Sequence, residues 1–312
     1  MTPTLRIIRP SSREATDLLA AKVATLRQQG FGVLYTDLPR DPEWAYTAAT
    51  AAERCLALTQ ALVEPESQII LCARGGYGAS DLLPLLPWDK LASLTPKLVV
   101  GFSDISALHS AFYTRLGWPG LHGPMPATTL WGTDALTSDT AALLGNLRQW
   151  ADQQSLAGTL AVSEVTGAAA GPLHGRLFGG CFSVLTNLIG TPFFPKSLAG
   201  HILFIEDTDE HPGRLTRALN QWLQAGLCDG VQALVIGHLR NLGPNIPDSA
   251  HFVLAQFAQR SGLPVFHSPL FGHTSPNYPL ALGAQASIHA GQLSWHLDQA
   301  NHWPKSLGNP QT

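Results

Sequence analysis

Charge is scarce in this sequence: only 13% of its 312 residues are Asp, Glu, Lys or Arg, and they sum to a net charge of -3. The 19 Lys and Arg residues never gather into a basic run. That excludes the electrostatic footprint by which proteins hold nucleic acid or an anionic membrane surface. Long hydrophobic runs are also missing, and nothing approaches the ~18 consecutive apolar residues of a membrane span. The N-terminal apolar run is too short for a secretion signal and is broken by Arg6, Arg9 and Pro10. Cys55, Cys72, Cys181 and Cys228 lie far apart and form no Cys-x-x-Cys pair, which argues against a disulfide framework and against a zinc site. A cytoplasmic protein with reduced thiols is expected. Repeats and low-complexity tracts are absent too.

What is present is apolar chain, 45% of residues, enough for one large or two ordinary domains. In the first ~125 residues short β-rich runs alternate with helical patterns. Leu5–Ile8, Gly32–Tyr35, Ile69–Cys72 and Leu98–Gly101 read as strands. Ser11-Ser12-Arg13-Glu14 has capping-box spacing ahead of a helical repeat that stops at Gly30, and Asp41-Pro42 reads as the start of a second helix. Such alternation predicts a parallel sheet covered by helices, of Rossmann or flavodoxin type, over residues 1–135. Residues 136–170 hold a polar helical stretch and then a run of small residues, and are expected to link to a second domain over 171–312. There Ile202–Ile205 and Ala233–Ile236 are strand runs, helices are expected near 212–225 and 250–260, and Ala290-Gly291 splits a terminal hairpin. The second domain is expected to be mixed β/α.

In open α/β sheets ligands lie outside the carboxyl ends of the strands. Two post-strand loops there are unusual. Gly101-Phe102-Ser103-Asp104-Ile105 has strand–Gly-x-Ser–helix order, which holds a serine out of the sheet with helix N–H groups beside it. It lacks the second glycine of G-x-S-x-G, and Ser103 or Asp104 could equally be a helix cap. Arg74-Gly75-Gly76-Tyr77-Gly78 packs three glycines into four residues, letting backbone N–H groups approach a ligand, or simply making a tight turn. It matches neither a dinucleotide fingerprint nor a Walker A loop. In the second domain Glu206 to His211 follows a strand, an acidic stretch that could orient a base or merely begin a helix. It has neither calcium-loop nor His-Glu-x-x-His spacing, so no metal or cofactor is expected. Among twelve histidines, His273 stands out after Gly272 at the head of a polar loop; His109 and His122 are weaker candidates.

Together these pieces resemble the LD-carboxypeptidase family of serine peptidases. The likeness rests on Arg74 to Ala79, Gly101 to Ile105, Gly190-Thr191-Pro192 with Ile205-Glu206-Asp207 and Glu210-His211-Pro212, and Gly272-His273 with Leu282-Gly283-Ala284. The resemblance implies a Ser-Glu-His triad of Ser103, Glu206 and His273 across an interdomain cleft, with the N–H groups of Gly76 and Asp104 as oxyanion donors. It implies release of a terminal D-alanine from a murein tetrapeptide in the cytosol, by a homodimer. Gly75, Tyr77, Arg74, Lys196 and Arg240, with Arg214 behind them, are the expected substrate contacts, the cations facing substrate carboxylates. Two other readings remain. One is a microcin self-immunity peptidase of the same family, with Trp118 or Trp131 as an aromatic wall for a base. The other is a non-catalytic anion-binding protein. This chain departs from the family pattern at Arg9, at Phe102 and at Cys181, where relatives usually carry Asn.

Overall fold

The computed structural model describes residues 2–298 apart from 15, 36, 40, 42, 133–135, 167–170 and 241–248. The chain runs β1 (Thr4–Ile8), α1 (Thr16–Gln28), β2 (Gly32–Tyr35), α2 (Ala51–Val63), β3 (Ile69–Cys72), α3 (Ala79–Leu82), α4 (Trp88–Leu91), β4 (Leu98–Gly101), α5 (Ser106–Leu116) and β5 (Gly120–His122). It continues through α6 (Ser138–Gln153), β6 (Ser155–Ala161), β7 (Ser163–Thr166), β8 (Leu173–Cys181), α7 (Phe182–Thr186), β9 (His201–Thr208), α8 (Pro212–Gln224), β10 (Ala233–Arg240), α9 (Ser249–Ser261) and β11 (Val265–His267). It ends with β12 (Leu280–Leu282), β13 (Gln285–His289) and β14 (Gln292–Asp298).

The first sheet has the order β2-β1-β3-β4-β5, all parallel, with β12 added antiparallel beside β5. This is the flavodoxin order, and its direction reverses between β1 and β3, the point where such sheets bind ligands. β3 and β4 are buried along their whole length, which is why they read as unbroken apolar runs. Each fully buried aliphatic side chain in them contributes about 1.5–3 kcal/mol. The second sheet, in the order β6-β14-β13-β8-β9-β10-β11-β7, is mixed: β8 to β11 are parallel and the flanking pairs antiparallel.

Helix α5 lies where the two sheets meet, and Ser106 to Tyr113 are all buried. An amphipathic helix would expose one face; this one is covered all round. Ser106 Oγ accepts from the Cys181 N–H (2.9 Å), Ser110 Oγ donates to the Phe193 carbonyl (2.7 Å), and the Tyr113 hydroxyl meets His201 Nε2 (2.7 Å).

Several local expectations change. The stretch 136–170 is mostly ordered structure: α6 packs Leu143, Leu144, Leu147 and Trp150 inward, and β6 and β7 form the two edges of the second sheet. Small residues there serve close strand packing, as where Trp295 lies against Gly158. The second helix starts not at Asp41 but at Ala51, where Thr50 and Glu53 form a capping box. Asp41 instead closes a turn by accepting from the N–H groups of Glu43 and Trp44; Pro42 lies outside the described residues. Glu14 does not cap a helix either, because its carboxylate pairs with the buried Arg9 guanidinium, which also binds Asp37 and Tyr35.

Candidate active site

Four loops converge at the carboxyl edge of the first sheet. Behind β4 the chain turns so sharply that Ser103 adopts φ 62°, a left-handed conformation unusual for a residue with a side chain. Such strain costs of order 1–3 kcal/mol and persists only where the surroundings enforce it. No side-chain hydrogen bond caps either the short 3₁₀ turn Ser103–Ile105 or α5 behind it, so neither Ser103 nor Asp104 is a cap for its own helix. Asp104 turns away instead, and its buried carboxylate accepts from the Ala79 N–H (2.8 Å) at the end of the glycine loop. Burial raises the Asp104 pKa above the usual aspartate value, against the opposing hydrogen bonds.

The glycine loop is fitted to this turn. A Cβ on Gly75 would lie 2.9 Å from Ser103 Cβ and 3.3 Å from the Asp104 nitrogen; one on Gly76, at φ 112°, would lie 2.2 Å from Ser12 Oγ. Ser12 also accepts from the Tyr77 N–H (3.1 Å). Beneath the loop the buried Arg54 guanidinium donates to the carbonyls of Ala49 (2.9 Å), Pro10 (2.5 Å) and Gly78 (2.6 Å) and pairs with Asp81 (3.1 Å). It joins three connections that no local motif relates, and the sequence reading passed it over. Among the described residues the N–H groups of Gly76 and Asp104 have no intramolecular partner, the latter as one of the orphan donors that open a helix. Gly75 takes no left-handed φ, so Gly75→Ala acts through contact alone. It is expected to lower kcat about 10²-fold by displacing Ser103 a fraction of an ångström, with the circular dichroism spectrum unchanged.

The partner side chains come from the second sheet. Glu206 lies near the carboxyl end of β9 and is 0% exposed; its Oε2 accepts from His273 Nδ1 at 2.6 Å. That bond places the proton on Nδ1 and leaves the Nε2 lone pair as a base. Burial would lower the His273 pKa, but Glu206, with smaller help from Asp207 and Asp209, outweighs it and the net direction is up. The His273 loop is pinned at several points. Arg240 donates to the His273 carbonyl (3.2 Å), the Gly272 N–H to Asn277 Oδ1 (3.0 Å), and the Asn277 N–H to Asp139 of α6 (2.7 Å). Thus the segment expected to be a linker supplies a buried anchor for the candidate base.

Phe102 joins the halves. Its ring meets the His273 imidazole edge-on, 5.0 Å between centroids at 64°, bringing the Ser103 turn against that imidazole. On its other side Phe102 packs on His122, which also faces Phe204 and Phe271; burial pushes His122 down to about 4 and keeps it neutral. His109 is pushed to about 3 by the same cause and donates its Nε2–H to the Val99 carbonyl (3.0 Å). Neither weaker histidine reaches the cluster as a free base. Beside Glu206, Asp207 accepts from the Ser183 N–H (2.8 Å), and burial together with the Glu206 charge raises it to about 6. Among the described residues no group of His, Cys, Asp and Glu is arranged to hold a metal ion.

The LD-carboxypeptidase N-terminal domain family matches residues 5–123, which hold Ser103 and the glycine loop, and the LD-carboxypeptidase C-terminal domain family matches residues 174–288, which hold Glu206 and His273. The chain belongs to the LD-carboxypeptidase family. It is a serine-type carboxypeptidase, as the relatives agree. It is 32% identical to the murein tetrapeptide carboxypeptidase of Pseudomonas aeruginosa, over 93% of this chain and 94% of that protein. The muramoyltetrapeptide carboxypeptidase of Oxalobacter formigenes superposes with a TM-score of 0.81 at 27% identity, covering 95% of this chain and 98% of the other. A microcin C7 self-immunity protein in complex with glutamyl sulfamoyl guanosine shares the fold, at TM-score 0.79 and 20% identity over 96% and 97% of the two chains.

Within this LD-carboxypeptidase framework the expected substrate contacts separate. Gly75, Tyr77 and Arg74 stand on the glycine loop, where Arg74 donates to the Arg13 carbonyl (3.0 Å), and Arg240 stands at the His273 loop. Lys196 does not join them. It is exposed on the connection entering β9, whose opposite end carries Glu206, about 17 Å of strand away. Arg214 is drawn off by Glu210 (2.8 Å) and the Asp209 carbonyl. Trp118 and Trp131 are buried, at 2% and 1% exposure, so neither offers a wall to a ligand. Cys181 is buried as well, its thiol against Asp207 (3.5 Å), and presents no side chain to a substrate. No described helix is long and apolar enough to cross a membrane.

Proposed function

We propose that this carboxypeptidase hydrolyses the bond from an L-configured centre to the terminal D-alanine of a murein tetrapeptide, with Ser103, His273 and Glu206 as its triad. The carrying observation is the 2.6 Å bond from His273 Nδ1 to the fully buried Glu206, with Phe102 packing edge-on against that imidazole beside the turn of a strained, uncapped serine. In this reading His273 Nε2 takes the Ser103 proton as Oγ attacks the carbonyl carbon. The N–H groups of Gly76 and Asp104 receive the charge that forms on oxygen. His273 then gives its proton to the leaving amine, releasing D-alanine. Water, activated by the same imidazole, hydrolyses the acyl-enzyme and restores Ser103. Glu206 holds the tautomer and stabilises the imidazolium. Arg240 and Arg74 are the cations for the substrate carboxylates, a role suited to the guanidinium fork. No metal or cofactor takes part, and the enzyme works in the cytosol as a homodimer.

The deciding measurement is turnover of a tetrapeptide ending in D-alanine against turnover of an aminoacyl sulfamoyl adenylate. Release of D-alanine at a kcat/KM within the ordinary enzymatic range, about 10⁴ M⁻¹s⁻¹ or above, is the expected result. Preference for the adenylate would replace the proposal with the microcin-immunity reading. Turnover of neither would leave the family fold serving another peptide.

A further inference from the structure

Three large aromatic side chains stand in solvent at the carboxyl edge of the first sheet: Trp44, Tyr46 and Tyr77, at 61%, 47% and 70% exposure. Exposed aromatics scattered singly need no explanation, but Tyr46 and Tyr77 are in contact and Trp44 lies two residues from Tyr46 on the same loop. The rings of Tyr46 and Tyr77 lie 5.5 Å apart at 57°. Their backbones are held by the loops that shape the site. The Tyr77 N–H donates to Ser12 Oγ (3.1 Å), the Tyr46 carbonyl accepts from Arg13 (3.2 Å), Thr47 bridges to Ser12, and the Trp44 N–H donates to Asp41 (2.9 Å). The rings are therefore presented to solvent from anchored backbone.

We propose that Trp44, Tyr46 and Tyr77 form a stacking platform for the uncharged sugar ring that a muropeptide carries at the far end of its stem. The inference rests on the function proposed above and assigns a further part of its substrate. Tyr77 follows Gly76 directly, ~3.8 Å between Cα atoms, and the second ring centroid is 5.5 Å beyond the first. Three stem residues ahead of the scissile carbonyl span roughly 10 Å, so for a substrate whose carbonyl faces the Gly76 N–H these rings lie within reach of its sugar. A pyranose presents an apolar C–H face that suits an aromatic surface, and tyrosine and tryptophan add polar tips for its hydroxyl and N-acetyl groups. A free tetrapeptide would leave the rings in water.

The test uses the full chain with Tyr46→Ala, Trp44→Ala and Tyr46→Phe. For each, kcat/KM is measured on the free tetrapeptide and on the same peptide joined to N-acetylmuramic acid. The ratio of sugar-bearing to free substrate is expected to fall about fivefold or more in both alanine variants and to be restored in Tyr46→Phe, which keeps the ring. Equal losses on both substrates, or an unchanged ratio, would overturn the platform. So would light scattering that finds the alanine variants newly monomeric with the ratio intact, which would assign the rings to contact between copies. The same ratio, read as calorimetric Kd values in a Ser103→Ala background, does not depend on turnover. A wild-type chain inactive on the free tetrapeptide therefore counts against the proposed reaction and leaves the platform to its own measurement.

Discussion

Replacing Ser103 by glycine is expected to abolish turnover, about 10⁶-fold in kcat, while making the fold more stable. The two effects have one origin. Ser103 sits at φ 62°, where a side chain is strained and glycine is not, so the substitution removes the proposed nucleophile and the strain together. Relief of about 1 kcal/mol raises the thermal midpoint by roughly 2 °C in a chain of this size. The sign of the stability change separates the two readings of Gly101 to Ile105. Losing a capping serine would lower the midpoint, by roughly a few tenths of a kcal/mol for glycine and about 1 kcal/mol for alanine. A nucleophile held in a strained turn behaves in the opposite way. Ser103→Ala completes the pair: it is equally inactive, retains the unfavourable φ, and gains no such stability. Inactivity with a lowered midpoint for Ser103→Gly would argue for the cap.

The first sheet was legible because its signals are local. β1 to β4 are short apolar runs separated by helix-length stretches, and β3 and β4, buried on both faces, read as unbroken ones. The terminal hairpin around Ala290-Gly291 was legible for the same reason. β8 escaped notice because Gly175, Gly179 and Gly180 interrupt its apolar pattern. Those glycines answer close approach: a Cβ on Gly179 would lie 1.7 Å from the Phe204 carbonyl oxygen, and one on Gly180 2.4 Å from Ser106 Oγ. That cause lies on β9 and α5, and no window of sequence around β8 contains it.

The candidate site divides along the same line. Ser103, Glu206 and His273 each follow a strand or open a loop, positions where function is carried, and the family likeness joined them. The residues that hold them were silent. Arg54 is an ordinary arginine in a helix, Asp139 an ordinary first-turn aspartate, and Phe102 stands out only as a departure from the family pattern, with nothing to show what it holds. Their roles appear only when distant chain is brought together: Arg54 against Pro10 and Gly78, Asp139 against Asn277, Phe102 against His273. Lys196 illustrates the reverse error. A cation close to a motif in sequence was expected near the substrate, but the length of β9 carries it to the other end of the sheet.

Glu206→Gln is expected to lower kcat by about 10⁴-fold and to move the acid limb of kcat/KM to lower pH. The first effect follows from the tautomer. An ionised Glu206 can only accept, so His273 must present Nδ1–H to it and keep Nε2 free for the serine proton. A glutamine can offer an N–H instead, which suits the opposite tautomer and leaves the imidazole with its proton on the wrong nitrogen. The second effect follows from charge. In the wild type, burial lowers the His273 pKa, but Glu206, helped by the Asp207 and Asp209 charges, more than compensates, so the imidazole titrates above the ordinary histidine value of 6.5. kcat/KM therefore falls as pH drops through a pKa above 6.5, because protonated His273 cannot accept from Ser103. In the Glu206→Gln variant the carboxylate's contribution is gone, burial remains, and the residual activity persists to lower pH than in the wild type. Glu206→Asp keeps the charge and should keep the acid limb above 6.5 even where its shorter reach lowers kcat. An acid limb that stayed in place in Glu206→Gln, with kcat near the wild-type value, would remove Glu206 from the triad and leave His273 to be oriented by its loop alone.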